Sequence, residues 1–299
     1  TATSAPGISL YSDNIGLAIM GELPLVVVDV QRLGPSTGAA TTTAQGDIQF
    51  VRWGTGGGFP IIALCPSTIA ECYTLTMKAF DLAERFRCPV FVMADKELAL
   101  TMKSVDPADY ATVAVRDRPI VDPEDLDPPT EYRYEPAGDV VPMQLYGGKH
   151  PVRFTGSTHT QDAFITKKPD IVGPLNEHLL RKITDHVDEI SMVKADLEDG
   201  AKTLLVSYGV TAGSMREAVA QARAEGTKVS ALTIQSLWPV PEKEIIAAAS
   251  GMDRVVVAEL NPSLYKRELE RVLSDVEIVG ISRIDGVLIS PQQMMEAIV

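Results

Sequence analysis

The residues of this chain that suit binding chemistry are concentrated in one polar segment that follows an apolar run. Positions 31–43 read QRLGPSTGAATTT, with a single cation, Arg32, among glycines and hydroxyl side chains. A guanidinium is a planar fork that matches a carboxylate or a phosphate, and glycine lets backbone approach a ligand closely. We therefore predict an anion-binding loop, whose members are Arg32, Gly34, Ser36, Thr37 and Gly38. The alternative is a polar turn in which Arg32 makes a surface ion pair.

Three other segments supply further candidates for binding. The opening TATSAPG places Ser4 and Gly7 just ahead of a predicted helix, where free backbone N–H groups can receive an anion. The segment FVRWGTGGGFP places Arg52 in glycine-rich backbone, either as a second carboxylate clamp or as part of a structural ion pair. Among the histidines, His159 lies in a polar loop, RFTGSTHTQD, and is the candidate for binding.

Other catalytic chemistry has little support in the sequence. The histidines do not have metal-ligand spacing, and the cysteines do not form a CxxC pair. Nor is there a GxSxG nucleophile elbow, a phosphate-binding P-loop, or a dinucleotide fingerprint in SYGVTAGS. No pair of carboxylates has an obvious catalytic context, and Glu22 is expected to be solvated. The residues alone predict a two-domain α/β binding protein.

Composition narrows the class of protein and its compartment. The chain of 299 residues has 27 Lys plus Arg against 40 Asp plus Glu, a net charge of −13, which argues against a nucleic-acid-binding surface. No apolar run reaches the roughly 18 to 20 residues of a membrane span. Three cysteines (Cys65, Cys72 and Cys88) without a secretion signal predict a reducing, cytoplasmic setting. Because the chain begins without an initiator Met, we expect an upstream piece.

Alternating strands and helices predict the fold. Short apolar runs without polar alternation, such as LPLVVVDVQ, PIIALC and CPVFVMAD, are typical of parallel strands that are covered on both faces. We predict two doubly wound parallel-sheet α/β domains, residues 1–105 and 175–299. Between them, the proline-rich residues 106–174 form a long crossover, whose aromatic side chains favour order over a flexible linker. Helical spacing predicts one helix over positions 176–197.

A set of motifs along nearly the whole chain carries a family resemblance. The motifs are TSAPG, VVVDVQRLGPSTGAATTTAQGD, RWGT, FTGSTH, LLVSYGVTAGSMREAV, SLWPVPEKEI and VVVAELN. Together they resemble the α subunit of the 2-oxoacid:ferredoxin oxidoreductases, with the 2-oxoglutarate type closest and the branched-chain 2-oxoacid type next. That family uses thiamine diphosphate and coenzyme A to decarboxylate a 2-oxoacid oxidatively to an acyl-CoA, and it passes the electrons to ferredoxin.

The resemblance implies a fold, a cofactor and partners. Residues 1–105 correspond to the thiamine-diphosphate-binding pyrimidine-type domain, and residues 175–299 to the transketolase C-terminal-like domain. Similar α subunits are active only with a β subunit that holds the diphosphate, its Mg²⁺ ion and an iron–sulfur cluster, in an (αβ)₂ hetero-oligomer. By resemblance, Ser4, Gly7 and the loop around Arg32 face the cofactor or the substrate. Arg52 is then available for a distal carboxylate.

Two departures from the family pattern leave alternatives open. Family members carry an upstream half-domain with a YPITPS-like loop and a glutamate that activates the aminopyrimidine ring of thiamine. Neither is in this sequence, and Glu22 does not have the context to replace that acid. The segment GTGGGFP is also rich in glycine where relatives often have a histidine and an acidic residue. The alternatives are a lipoamide-linked 2-oxoacid dehydrogenase subunit and a non-catalytic assembly module of the same fold.

Overall fold

The structure is a computed structural model that describes residues 1–110, 113–122, 125, 138, 140, 142–144, 146–147 and 151–298. Its strands are Ala2–Thr3 (β1), Leu25–Leu33 (β2), Ala39–Thr43 (β3), Ile62–Leu64 (β4), Pro89–Asp95 (β5), Ile120–Val121 (β6), Met143–Gln144 (β7), Val193–Asp196 (β8), Thr203–Ser207 (β9), Ser230–Ile234 (β10), Ser236–Trp238 (β11), Arg254–Glu259 (β12) and Glu277–Ser282 (β13). Its helices are Ala5–Met20 (α1), Ile48–Trp53 (α2), Ile69–Phe86 (α3), Lys96–Leu100 (α4), Pro169–Thr184 (α5), Val187–Ile190 (α6), Thr211–Ala224 (α7), Glu242–Ala249 (α8), Lys266–Val272 (α9) and Pro291–Ile298 (α10). None of the helices in these ranges is long and apolar enough to cross a membrane.

The first sheet is built from the apolar runs that the sequence predicts as parallel strands. β1, β2, β5 and β4 lie side by side in that order, all parallel, and β3 folds back antiparallel to β2. Every residue of β5 is buried, as a strand covered on both faces requires. The far edge of the sheet is formed by β11, which comes from the C-terminal half and runs antiparallel to β4. This insertion of β11 has no counterpart in the sequence prediction.

The second sheet has the order β13-β12-β9-β10-β8. Its first four strands are parallel, which confirms the predicted α/β repeat of the C-terminal half. The prediction of one helix over positions 176–197 is wrong in part, because α5 ends at Thr184, α6 is one turn long, and the chain then extends as β8. β8 pairs antiparallel with β10, and this pairing satisfies backbone groups at the edge of the sheet.

One hydrophobic cluster joins both sheets, so the two halves share a core. It includes side chains of α1, α2, β2 and β5 from the first half and of β9, β10, α8 and β12 from the second. The outer faces are covered separately, by α3 on the first sheet and by α7 with α10 on the second. The α/β class and its two doubly wound sheets are thus confirmed, while the domain bounds at 105 and 174 stay predictions.

The first part of the predicted crossover packs along the outer side of α3. Tyr110 lies edge-on to Tyr73, with ring centroids 5.0 Å apart. Further along the helix, Arg116 Nε donates a hydrogen bond to Asp81 Oδ1 at 2.7 Å. These contacts order the crossover where it is described. Its remaining positions, among them most of residues 123–150, lie outside the described residues.

The turn after α1 holds a buried group of charges. Glu22 is 2% exposed, and its Oε1 lies 2.8 Å from His178 Nε2 and 2.9 Å from Lys182 Nζ, both on α5. Burial by itself would raise the pKa of Glu22, but Lys182 and His178 hold that pKa well below its ordinary value. The expectation of a solvated Glu22 is therefore wrong, because α5 covers it from a position far along the chain.

We expect Glu22→Gln to destabilise the fold by about 3–5 kcal/mol, because it leaves the buried Lys182 ammonium without its counter-charge. The matched control is Glu177→Gln on α5, where the Glu177 side chain is 52% exposed and lies 3.6 Å from Arg181. The cost of that change should stay within about 0.5 kcal/mol. Chemical denaturation of both variants measures the difference, and equal losses would contradict the structural role of Glu22.

Candidate active site

The predicted anion-binding loop is the turn of a hairpin between β2 and β3. Arg32 lies at the end of β2, opposite Thr43 of β3. Its Nε donates a hydrogen bond to Ser4 Oγ at 3.0 Å, and its Nη1 donates to the backbone carbonyl of Thr37. Nη2 makes no hydrogen bond with any residue in the described ranges. The guanidinium is therefore held in place with one nitrogen open to a ligand.

Ser4 connects the first strand to the first helix. It follows β1 and occupies the N-cap position of α1, but its hydroxyl makes no capping bond and accepts from Arg32 instead. Gly7, in the first turn, donates its N–H to the Ser4 carbonyl at 2.7 Å. Because Pro6 has no N–H and the Gly7 N–H is bonded to Ser4, these two positions offer no free N–H to an anion, in contrast to the expectation from the sequence. The structure thus brings Ser4, Gly7 and Arg32 to one corner, at the carboxyl ends of β1 and β2.

The turn of the hairpin is exposed, and it needs glycine at one position. Gly34, Ser36 and Thr37 are all exposed to solvent. Gly38 has a φ of 48°, and a Cβ added there would lie 1.9 Å from the carbonyl oxygen of Leu33. Only glycine fits such a close approach at a positive φ. The loop residues therefore lie on the surface beside Arg32, and their role in anion binding stays a prediction.

Three side chains beside the hairpin have buried polar atoms without a hydrogen-bond partner in the described part of the chain. They are the Asp29 carboxyl group, the Thr43 hydroxyl and Asp47 Oδ2. Burial and the neighbouring Asp47 raise the pKa of Asp29 well above its ordinary value, and burial raises the pKa of Asp47 to about 6. The two carboxyl groups therefore affect each other's protonation. Because buried polar groups are nearly always hydrogen-bonded, this corner suits a further polar group.

Gln45 ties the end of the hairpin to the C-terminal half. The residue is fully buried. Its Nε2 donates to the Tyr208 carbonyl at 3.0 Å, and its Oε1 accepts from Thr211 Oγ1 and Leu260 N, both at 3.1 Å. Its backbone carbonyl accepts from Asn261 Nδ2 at 2.8 Å. The segment AQGD, which belongs to the longest resemblance motif, therefore docks on the segments SYG and ELN of two other motifs.

Arg52 lies in the last turn of α2. Its Nη1 donates to the Phe59 carbonyl at 3.1 Å, and its guanidinium stacks on the Trp53 ring, 3.8 Å from the ring centroid. Burial lowers the pKa of Arg52, and Glu268 acts in the opposite direction. The helix begins next to Asp47, so about 7.5 Å of helix axis separate Arg52 from the acid pair. The clamp role of Arg52 stays a prediction.

His159 lies apart from the corner around Ser4. It is fully buried, and its Nδ1 is 2.8 Å from the Ser157 carbonyl oxygen. Its segment packs on the C-terminal part of α1, where Gly156 approaches Leu17 closely. Because Ser4 precedes the first turn of α1, about 20 Å of helix axis separate it from Leu17. A binding role for His159 stays a prediction.

Sequence reasoning missed three residues that build this corner, although each has a signal. Asp29 is a charged residue inside the apolar run VVVDV, and Gln45 and Asp47 lie in the AQGD segment of a motif. Their partners could not be read locally, since those of Gln45 lie more than 160 positions away. Within the described residues, no group of three or more His, Cys, Asp or Glu could hold a metal ion.

Two family descriptions match the chain. The family described as pyruvate flavodoxin/ferredoxin oxidoreductase, thiamine diphosphate-binding, matches residues 1–166. The family described as pyruvate:ferredoxin oxidoreductase core domain II matches residues 201–294. The first match covers more than half of the chain. It includes all of the hairpin corner, which is formed by Ser4, Gly7, Asp29, Arg32, the loop 34–38, Thr43 and Asp47.

Individual relatives agree with these descriptions. The 2-oxoglutarate synthase subunit KorA of Methanothermobacter thermautotrophicus is 36% identical, over 100% of this chain and 79% of the relative. The ketoisovalerate oxidoreductase subunit VorB of the same organism is 29% identical, over 100% of this chain and 76% of the relative. Among solved structures, the 2-oxoglutarate:ferredoxin oxidoreductase from Magnetococcus marinus, with 2-oxoglutarate, coenzyme A and succinyl-CoA bound, is similar with a TM-score of 0.87 at 28% identity.

The match to the solved enzyme covers 100% of this chain and 52% of that chain, so this chain spans about half of its length. The predicted resemblance is confirmed by the family descriptions and by the curated relatives together. The chain belongs to the 2-oxoacid:ferredoxin oxidoreductase family, in the class of its α subunits.

Proposed function

We propose that this chain is the α subunit of a thiamine-diphosphate-dependent 2-oxoglutarate:ferredoxin oxidoreductase. The reaction is the CoA-dependent oxidative decarboxylation of 2-oxoglutarate to succinyl-CoA, with the electrons passed to ferredoxin. The observation that supports the proposal most directly is the geometry of Arg32, whose guanidinium is fixed by Ser4 and Thr37 while Nη2 is free to bind a ligand. The chain that carries it is 36% identical to a 2-oxoglutarate synthase subunit. A fixed guanidinium suits the carboxylate that every 2-oxoacid carries.

The residues of the corner divide the work of binding. Arg32 receives the carboxylate next to the keto group, and Ser4 Oγ keeps the guanidinium in the orientation that this requires. The Asp29 and Asp47 carboxyl groups retain one proton between them, which keeps a second negative charge away from an anionic substrate. Arg52 receives the distal carboxylate, which distinguishes 2-oxoglutarate from 2-oxoacids with one carboxylate.

The corner fits one wall of a thiamine diphosphate site. The orphaned polar groups of Asp29, Thr43 and Asp47 offer hydrogen bonds to a polar ring, and the match over residues 1–166 is to a thiamine-diphosphate-binding family. When bound, thiamine diphosphate supplies the carbon nucleophile for the keto group and takes up the electron pair that carbon dioxide leaves behind.

The rest of the active site belongs to partners. A β subunit holds the diphosphate, its Mg²⁺ ion and an iron–sulfur cluster, and the complex is an (αβ)₂ hetero-oligomer that works in the cytoplasm with ferredoxin. The relatives are named as subunits, which supports a partner chain. The bounds 1–105, 106–174 and 175–299 for the two domains and the crossover are part of the same proposal.

A second candidate is a branched-chain 2-oxoacid oxidoreductase. The relative named as a ketoisovalerate oxidoreductase subunit is 29% identical over the whole chain. The segment GTGGGFP begins two residues after Arg52 and contains no acidic or histidine side chain. Over residues 52–60, specificity for a distal carboxylate therefore depends on the Arg52 guanidinium alone. The assay of substrate preference separates the two candidates.

The assay is the reduction of ferredoxin by the chain purified with its co-expressed β subunit. We expect reduction to require thiamine diphosphate, CoA and a 2-oxoacid, with kcat/KM at least about tenfold higher for 2-oxoglutarate than for 2-oxoisovalerate or pyruvate. A preference for 2-oxoisovalerate would assign the branched-chain candidate. Reduction of lipoamide instead of ferredoxin would assign a dehydrogenase subunit, and no turnover with any 2-oxoacid would assign a non-catalytic assembly module.

Two arginine variants of that complex test the roles of the guanidinium groups. Arg32→Lys should raise KM for every 2-oxoacid by about tenfold or more, because lysine lacks the planar fork that Ser4 and the substrate share. Arg52→Gln should raise KM for 2-oxoglutarate and leave that for 2-oxobutyrate unchanged, because 2-oxobutyrate has no distal carboxylate. The exposed Arg267 provides a matched control, Arg267→Gln, that should leave both KM values unchanged.

If Arg52→Gln leaves KM for 2-oxoglutarate unchanged, the clamp assignment is wrong. If Arg32→Lys leaves KM unchanged for every 2-oxoacid, Arg32 does not bind the substrate carboxylate and the proposed substrate site is wrong. Equal effects of Arg52→Gln on both substrates would mean that Arg52 acts through the fold of α2.

A further inference from the structure

A cavity of about 530 Å³ opens between α3 and the start of the crossover. Its walls come from the N-terminal part of α3, from residues 103–105, and from Met192, Lys194 and Gln235 of the C-terminal half. Cavities of about 300–1,000 Å³ are typical of small-molecule sites. The cavity shares no residue with the hairpin corner. It lies on the α3 side of the first sheet, opposite the side that α1 covers.

The charges that line this cavity leave one cation without a counter-charge. Lys78 Nζ lies 2.9 Å from Asp81 Oδ2, and Lys194 is paired with Glu71. Lys103, in contrast, makes no ion pair with a residue in the described ranges, although it lines the same cavity. An ammonium group without a counter-charge at a cavity wall favours an anionic ligand.

Gln235 is a buried polar side chain without a partner at the same place. The residue is 8% exposed and lines the cavity. Its backbone N–H donates to the Met192 carbonyl at 3.0 Å, and its carbonyl accepts from Cys65 N at 2.7 Å. Its side-chain amide makes no hydrogen bond within the described part of the chain. The amide atoms of Gln235 are not among the buried polar atoms without a partner, so they are exposed to solvent in the cavity and accessible to a ligand.

Helix α3 begins at the wall of the cavity, and the Glu71 carboxylate in its first turn accepts a hydrogen bond from Ser67 N at 2.7 Å. Thr68 Oγ1 caps the helix by accepting from Glu71 N at 3.1 Å. The amides of Ile69 and Ala70, the first two residues of the helix, have no intrahelical acceptor, and both residues line the cavity. The N-terminus of a helix of 18 residues carries a partial positive charge that attracts an anion.

We propose that this cavity binds a small organic acid, with one carboxylate or phosphate group on an apolar body. The acidic group binds Lys103, the side-chain amide of Gln235 and the first amides of α3. The apolar body contacts Leu75, Val105 and Met192, which line the rest of the cavity. The site is independent of the proposed enzymatic reaction, because none of these residues belongs to the hairpin corner.

The test is calorimetric titration of the chain, purified with its partner subunit, with three probes of one shape. Phenylacetate and phenyl phosphate carry the acidic group on an apolar ring, and phenylacetamide is the neutral counterpart. We expect saturable binding of at least one anion and binding of the amide that is at least about tenfold weaker. The anion that binds more tightly identifies the ligand as a carboxylate or as a phosphate.

Two variants locate the bound probe. Lys103→Glu reverses the unpaired charge and should weaken binding of the anion about tenfold or more, and Gln235→Leu should weaken it severalfold through loss of the amide. The control is Lys202→Glu, the same charge reversal at a side chain that is 65% exposed and outside the cavity, and it should leave binding unchanged. Absence of saturable binding by both anions, equal binding of phenylacetamide, or binding that Lys103→Glu leaves unchanged would overturn the proposal.

Discussion

Five hydrogen bonds converge on Gln45, and they fix how the two halves of the chain meet. The side chain binds the Tyr208 carbonyl, Thr211 and the Leu260 N–H, while the backbone of Gln45 binds the Leu260 carbonyl and the Asn261 side chain. Opposite it, the backbone passes so close that a Cβ on the residue after Tyr208 would lie 2.3 Å from Gln45 Nε2. A fully buried amide with every polar atom paired is costly to move, so this contact sets the register between the halves.

The hairpin corner depends on that register. β3 leads directly into Gln45, and α2 begins only three residues later. Holding Gln45 therefore places Thr43 opposite Arg32, and it places Asp47 against Asp29. The shared core between the sheets has the same effect on a larger scale, because α1 and α2 pack against strands of the second half. Gln45 thus acts on the site by positioning the residues around it.

The sequence predicts what depends on local patterns and misses what depends on distant contacts. Apolar runs without polar alternation identify the parallel strands, because strands covered on both faces need them. Ser4 and Arg32, singled out because hydroxyl and guanidinium groups beside glycine are typical of strand ends, do contact each other, and their role in binding stays a prediction. The burial of Glu22, in contrast, depends on helix α5, whose His178 lies 156 positions further along the chain. No local sequence pattern indicates that contact. None indicates that β11 joins the first sheet as its edge strand.

The most direct test of the contact between the two halves is calorimetric unfolding of Gln45→Met. This change keeps the length of the side chain and removes its polar atoms. The free energy of unfolding should fall by about 3 kcal/mol or more. The reason is that the Tyr208 carbonyl, the Thr211 hydroxyl and the Leu260 N–H each lose a buried partner, at about 1 kcal/mol or more each. The control is Gln221→Met on α7, where the amide binds only Glu217 at an exposed position, and it should cost less than about 0.5 kcal/mol. A loss for Gln45→Met no larger than that of the control would contradict a structure that depends on Gln45.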